Sequence, residues 1–461
     1  MRFRSVALGL LLATAAGCAV GPDYHRPPVD VGAAYEESGR WMPSEPADAL
    51  DRGPWWSVFH DTLLDRLERR VDISNETIKS AGAAVEQARA LVREARAGFW
   101  PTLTANAGRQ RTTDFAGTHT QNTAGLAGTW DLDIWGRVRR SAEGSKDAAQ
   151  ASAAALAAAR LSVQAALASD YFALRAQDRL QALLADTVAA QQRSLAIAES
   201  RHRFGVAAKA DVVSARTQLL NSQAQQVNAG IQRALLEHAI AVLLGEPPSR
   251  FSLLPAPIRA DVPTVPAGLP SALLERRPDV AEAERRVAAA NAQIGVARAA
   301  YFPSLQLSGS DDYAGGVFAD LFRASNQVWA FGPAVAETLF AGGLLRAQAA
   351  AARAAYAASV DDYRQTVLSA VQQVEDNMAM LRILAQQAVI EGQAVKAAKE
   401  AEELTLYQYK EGVVPYSSVI AAQTTTLASR ETALNVLQSR LNASIAMIEA
   451  LGGGWNASRL D

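Results

Sequence analysis

Cysteine is almost missing: Cys18 is the only one in 461 residues. A lone cysteine makes no intrachain disulfide and cannot build a Cys-rich zinc site. Long apolar runs are missing too. No stretch reaches the ~18 uninterrupted apolar residues of a spanning helix, and the mean hydropathy is −0.02, so a bundle of transmembrane helices is excluded. Net charge is only −2, without the basic footprint of a nucleic-acid binder. With 49% hydrophobic and 20% charged residues, disorder is excluded as well. The histidines (His25, His60, His119, His202 and His238) never pair at metal-ligand spacing. No phosphate loop, dinucleotide fingerprint or nucleophile elbow occurs. No enzyme, catalytic residue, metal or cofactor is therefore expected, and Asp311-Asp312, Asp361-Asp362 and Glu402-Glu403 read as solvated faces rather than calcium ligands.

Proline is unevenly absent. Of the 18 prolines, six lie between Pro22 and Pro54 and seven between Pro247 and Pro270; none lies in 102–246 or in 334–414. Proline costs ~3 kcal/mol inside a helix, so the empty windows are where long helices can form. They are rich in Ala, Leu, Gln, Arg and Glu, and Leu156, Val163, Leu167, Tyr171, Leu174 and Val188 recur at helical intervals. One helix from Gly136 to Arg203 would be about 100 Å long at 1.5 Å per residue. The ~150 residues of an average domain would divide the chain into three globules, but none accommodates such a helix, and an extended coiled-coil structure is implied.

The start is distinctive. Arg2 and Arg4 precede an apolar stretch from Ser5 to Ala16, then Gly17-Cys18, which reads as a secretory signal over 1–17. Cys18 behind Thr14-Ala15-Ala16-Gly17 resembles a bacterial lipobox, with Ala15 where Leu is usual. That implies lipidation of Cys18 as the chain's only covalent attachment, and two or more acyl chains anchor stably. Ala19 rather than Asp after the Cys resembles an outer-membrane address. An ordinary signal peptide with an unrelated Cys is the alternative.

The halves repeat each other. Phe99-Trp100-Pro101-Thr102-Leu103 recurs as Tyr301-Phe302-Pro303-Ser304-Leu305, Phe204-Gly205-Val206 as Glu411-Gly412-Val413, and Leu244-Gly245 as Leu451-Gly452, a tandem duplication with a Pro-rich seam. Expected divisions are a lipid-anchored extended segment 18–54, a first repeat 55–245, a linker 246–270, a second repeat 271–452 and a tail 453–461. Strands are expected at about 102–111, 123–134, 303–311 and 327–339, and helical hairpins at about 136–243 and 342–451. In 123–134, Ala124, Leu126, Gly128, Trp130, Leu132 and Ile134 alternate with Thr123, Thr129, Asp131 and Asp133. Ser304, Gln306, Ser308 and Ser310 alternate likewise with Leu305, Leu307 and Gly309. Such segments, flanked by Phe99, Trp100, Trp135, Tyr301, Phe302 and Phe340, suit a transmembrane β-barrel with aromatic girdles or a half-buried soluble sheet. Four strands cannot close a barrel, so a membrane reading requires several chains in a ring.

In order along the chain, several marks resemble the TolC family of outer-membrane factors, specifically its NodT-type lipoprotein branch. They are Gly17-Cys18-Ala19-Val20-Gly21-Pro22-Asp23-Tyr24 with Arg26-Pro27-Pro28-Val29, Trp55-Trp56…Phe59…Asp61, the paired boxes, Asp131-Leu132-Asp133-Ile134-Trp135-Gly136, and Arg276-Arg277-Pro278-Asp279-Val280. The resemblance implies a mainly α fold with a small transmembrane β part, built as a homotrimer with a 12-stranded β-barrel and a long periplasmic α-barrel. It implies an exit duct passively serving an inner-membrane pump through a periplasmic adaptor. A duct for type I protein secretion and a lipid-anchored coiled-coil protein without a pore are the alternatives.

The resemblance makes Gly205, Val206, Gly412 and Val413 the periplasmic tips where the adaptor docks, although glycine turns need mean no more than turns. It makes Asp211, Tyr409 and His202 gate residues, three symmetry-related Asp211 carboxylates forming a cation-selective constriction. Asp211 as a plain acid at a helix N-terminus is the alternative. Ser418, Ala421 and Val414 stand where relatives often carry charge, which argues against a gate latched by many ion pairs.

Overall fold

The computed structural model describes residues 19–32, 34–38, 54–115, 117–258, 261–263 and 276–460. The elements are α1 (Thr62–Ser74), α2 (Glu76–Ala97), β1 (Thr102–Asp114), β2 (Gly117–Leu132), α3 (Arg137–Arg203), α4 (Lys209–Leu243), α5 (Pro278–Ala299), β3 (Ser304–Gly315), β4 (Gln327–Ala336), α6 (Leu344–Lys410) and α7 (Tyr416–Ala450). The duplication is metrical. Both α3 and α6 have 67 residues, α4 and α7 have 35, and α2 and α5 have 22. Each 67-residue helix is about 100 Å long, so the chain is one elongated unit.

Local chemistry sets the boundaries. Asp61 caps α1, accepting from the Leu63 and Leu64 amides at 2.9 and 3.2 Å, and Asn75 does the same for α2. The Asp133 carboxylate accepts from the Val138 and Arg139 amides at 2.9 and 2.8 Å, capping α3, whose preceding Gly136 has φ 78°. The repeats meet their own beginnings through their helix ends. Asn75 Nδ2 donates to Leu243 O (2.7 Å) in the first copy and Arg277 Nη1 to Ala450 O (2.9 Å) in the second. That contact explains the Arg276-Arg277-Pro278-Asp279 motif: Pro278 opens α5, while Arg277, bonded also to Asp279 and Gln373, satisfies a terminal carbonyl of α7.

The largest core lies midway along the helices. There Trp55, Trp56 and Phe59 pack with Leu64, Leu67 and Val71 of α1 against Leu167, Tyr171, Phe172 and Leu174 of α3. Of the helical-period residues, Leu167, Tyr171, Leu174 and Val188 are buried, and Leu156 and Val163 pack on that core. Buried alanines at 151, 154, 165 and 168 keep α3 close to its neighbours.

The four strands form one antiparallel sheet in the order β1-β2-β3-β4, so β1 and β4 each have one free edge within the chain. Cross-strand register sorts the residues into two faces. Leu103, Ala105, Leu126, Gly128, Trp130, Leu132, Leu305, Leu307, Phe331 and Val335 share one; Thr102, Thr104, Asn106, Thr129, Asp131, Gln306, Ser308, Ser310 and Asp312 share the other. The strands differ from expectation at their ends. β2 begins at Gly117 and stops at Leu132, leaving Ile134 outside, because Asp133 is already used as a helix cap. β1 and β3 run on to Asp114 and Gly315. Polar residues occupy both faces there, so alternation is invisible in the sequence and only ladder pairing defines the strand. β4 ends at Ala336 rather than 339, and Pro333 is accommodated on this edge strand.

Candidate functional site

The long helices reverse at two turns beside each other. In the first, Gly205 has φ 75° and the Val206 amide donates to Arg201 O at 2.8 Å; in the second, Gly412 has φ 80° and the Val413 amide donates to Gln408 O at 2.9 Å. Both are glycine-terminated helix ends with a six-to-one hydrogen bond. Val206 and Val413, with Phe204, are exposed apolar side chains at the apex. A Cβ built on Gly205 would meet nothing within 4 Å, and one on Gly412 only Arg201 Nη2 at 3.4 Å. Backbone conformation, not crowding, therefore demands glycine.

Behind the apex lies a separate small core of Ala198, Ala215, Tyr409, Tyr416 and Val419. The Tyr409 and Tyr416 rings meet edge-on at 5.1 Å. Burial, then the neighbouring Tyr409, pushes the Tyr416 phenol up to about 12; burial and then the Asp211 charge raise Tyr409 too. Both phenols are neutral at physiological pH. The fold thus brings Asp211 to Tyr409, with Asp211 in the first turn of α4 and half-buried. His202 is exposed and engaged in its own turn, Nδ1 lying 2.9 Å from Ala207 O.

Sequence reasoning missed Arg201. Its guanidinium lies 5.0 Å from the centre of the Tyr409 ring, and Nη1 donates to Lys410 O at 2.5 Å. It joins the end of α3 to the end of α6, where a cation suits the exposed terminal carbonyls. A basic residue in a helix's last turn was the only signal available. Which helix it would serve depends on the packing of the two hairpins.

At the other end of the helices, Trp135 stacks on Phe302 (centroids 4.7 Å) and donates to Pro303 O at 2.7 Å, while Trp130 donates to Phe99 O at 2.9 Å. The aromatics expected at an interface gather where sheet meets helix. The N-terminal segment runs to the same place. The Val20 amide donates to Trp135 O at 2.9 Å, and Gly21 lies so close to Gly295 that a Cβ would come within 2.6 Å of its Cα. Farther on, Asp23 pairs with Arg140 (2.7 Å), Tyr24 donates to Glu284, Tyr35 is buried, and Glu37 pairs with Arg382 (2.8 Å). Residues 19–32 and 34–38 thus lie along α5 and α6. Cys18 itself lies outside the described residues.

A family model described as "Outer membrane efflux protein" matches residues 69–246 and 269–453, two blocks separated at the Pro-rich seam. The chain belongs to the outer membrane efflux protein family. The solvent efflux pump outer membrane protein SrpC of Pseudomonas putida is 30% identical over the full length of both chains. The pyoverdine export outer membrane protein OpmQ of Pseudomonas aeruginosa is 31% identical over 94% of each. Among solved structures, the outer-membrane channel OprN superposes with a TM-score of 0.88 at 27% identity, covering 95% of this chain and all of that one. The MtrE channel of Neisseria gonorrhoeae, in its open state, gives 0.85 at 29%, covering 95% and 99%. This efflux protein is an outer-membrane exit duct with the TolC-like fold, an α-helical barrel continued by a β-barrel, and its large helical part is periplasmic. It is a member of a family of channels rather than of enzymes.

Proposed function

We propose that three copies of the efflux protein assemble into one duct through which small amphipathic molecules leave the cell passively. The sheet carries this reading. Its apolar face suits lipid, its Thr-, Ser- and Asn-lined face suits a wet lumen, and both edges are free. In a bilayer each unpaired backbone group costs several kcal/mol, so β1 of one copy must pair with β4 of the next, and three copies give twelve strands. Relatives named for solvent efflux and pyoverdine export favour small molecules over proteins as cargo.

The six glycine turns form the periplasmic entrance. Exposed Phe204, Val206 and Val413 offer the apolar points on which an adaptor protein seats, linking the duct to an inner-membrane pump. Asp211, Tyr409 and His202 act there as gate residues, with Asp211 repeated three times about the axis. Cys18 carries the lipid. It is one residue, about 3.8 Å, from Ala19, whose backbone packs on Gly136 beside the Trp135–Phe302 girdle. An acyl chain there enters the membrane at its periplasmic surface.

The test is reconstitution. Purified protein should migrate as a trimer and give discrete conductance steps in planar bilayers. Monomer alone, with no current, would overturn the reading.

A further inference from the structure

The outward face of β1 changes character along its length. Leu103, Ala105 and Ala107 are followed on the same face by Arg109 and Arg111. Both arginines are exposed, and neither has an ion-pair or hydrogen-bond partner among the described residues. Arg109 pairs with Asn122, and the apolar face begins ten residues away at Leu132. At ~3.4 Å per residue and a tilt of ~40°, that separation is about 26 Å in height, the thickness of a barrel's lipid-facing band. Tyr313, which meets Phe322 edge-on at 5.3 Å, lies on this face in the row between Leu126–Trp329 and Arg109. These two rings mark the outer girdle. Arg109 and Arg111 therefore stand just beyond it, at headgroup depth and on the lipid side.

Arginine facing lipid is costly at the midplane and tolerated near the interfaces, yet two here share one strand face with Cα atoms about 7 Å apart. Among the described residues no carboxylate pairs with them. On the outward face Asp311 is held by Gln327 (2.8 Å), and Asp320, in the connection between β3 and β4, is paired with Arg323 (2.8 Å), while Thr113, Thr118, Thr120 and Asn122 flank the arginines. Guanidinium groups bind phosphate oxygens through paired N–H donors, and anionic headgroups attract clustered cations at a membrane surface. We propose that Arg109 and Arg111 form a clamp for the phosphate groups of an outer-leaflet glycolipid, one clamp per protomer and three around the duct. This rests on the barrel reading above, which sets the depth and direction of the strand.

Bisphosphorylated lipid A titrated against the detergent-purified trimer, with bound lipids counted by native mass spectrometry, tests it. Saturation near three lipids per trimer is expected. R109Q/R111Q should lose affinity at least tenfold with its conductance unchanged, R109K/R111K should lose less, and fully dephosphorylated lipid A should bind the unaltered protein as weakly as the glutamine variant binds lipid A. Equal affinity of unaltered and glutamine proteins would overturn the clamp while leaving the duct standing. Complete displacement by equimolar inorganic phosphate would overturn it as a lipid site. If only monomer is found, the barrel reading fails and the clamp with it.

Discussion

Glu68 has no exposed surface, and neither carboxylate oxygen has a hydrogen-bond partner. Burial, and then the nearby Asp72, push its pKa up to about 9 from the ordinary 4.5. The folded protein therefore holds a proton there that the unfolded chain releases near pH 4.5. Stability from that proton is complete below 4.5 and is lost as pH rises through about 9. Glu68→Gln should melt with the unaltered protein at pH 5 and progressively above it towards pH 9, a difference that thermal scans across that range will show. Tip residues are governed by conformation instead. Gly205→Val and Gly412→Val place an L residue at positive φ, at a cost of roughly 1–2 kcal/mol each. Trimer yield should be unchanged on native gels, while export of a fluorescent substrate falls at least tenfold. Arg201→Ala removes a charge-assisted bond between two helix ends, and hydrogen exchange of the tip amides should speed up about tenfold.

Elements are joined through a few polar groups that sequence periodicity does not mark. Asp178 accepts from Arg175 (2.7 Å), Arg233 (2.7 Å) and the Ala256 amide (3.0 Å), while the two arginines reach Leu254 O and Leu253 O. Residues 253–256 of the Pro-rich seam are thereby fixed to α3 and α4. Asp178→Ala leaves the buried Arg175 without its acid, while Arg233 keeps Glu237, and should cost about 3 kcal/mol in denaturant unfolding. The long helices were legible because Pro-free, Ala- and Leu-rich windows allow little else, and the strand cores because alternation requires one apolar face. The outer strand ends were not legible. Thr112, Thr113 and Gly117 to Asn122 carry no amphipathic signal, and only pairing with another strand holds them extended.

At the scale of the molecule, the average hydropathy of a soluble protein conceals two solvents. One face of a small sheet meets lipid, while about 100 Å of helix meets water inside and out. If Cys18 is the anchor, Cys18→Ala should abolish labelling by radioactive palmitate yet leave conductance intact, since the sheet spans the membrane by itself; persistent labelling would remove Cys18 from that role.

Composition and spacing alone determined the duplication, the reach of the helices, the glycine reversals and the apolar face of the strands, because each follows from local backbone chemistry repeated along the chain. Tertiary structure decided which helix end Arg201 serves, that the Asp211 charge comes near enough to act on the Tyr409 phenol, that residues 19–32 and 34–38 follow α5 and α6 to the girdle, and that Arg109 and Arg111 stand beyond the apolar rows of their sheet face. Those are meetings between residues up to 345 positions apart, set by how the two copies pack rather than by any periodicity within one.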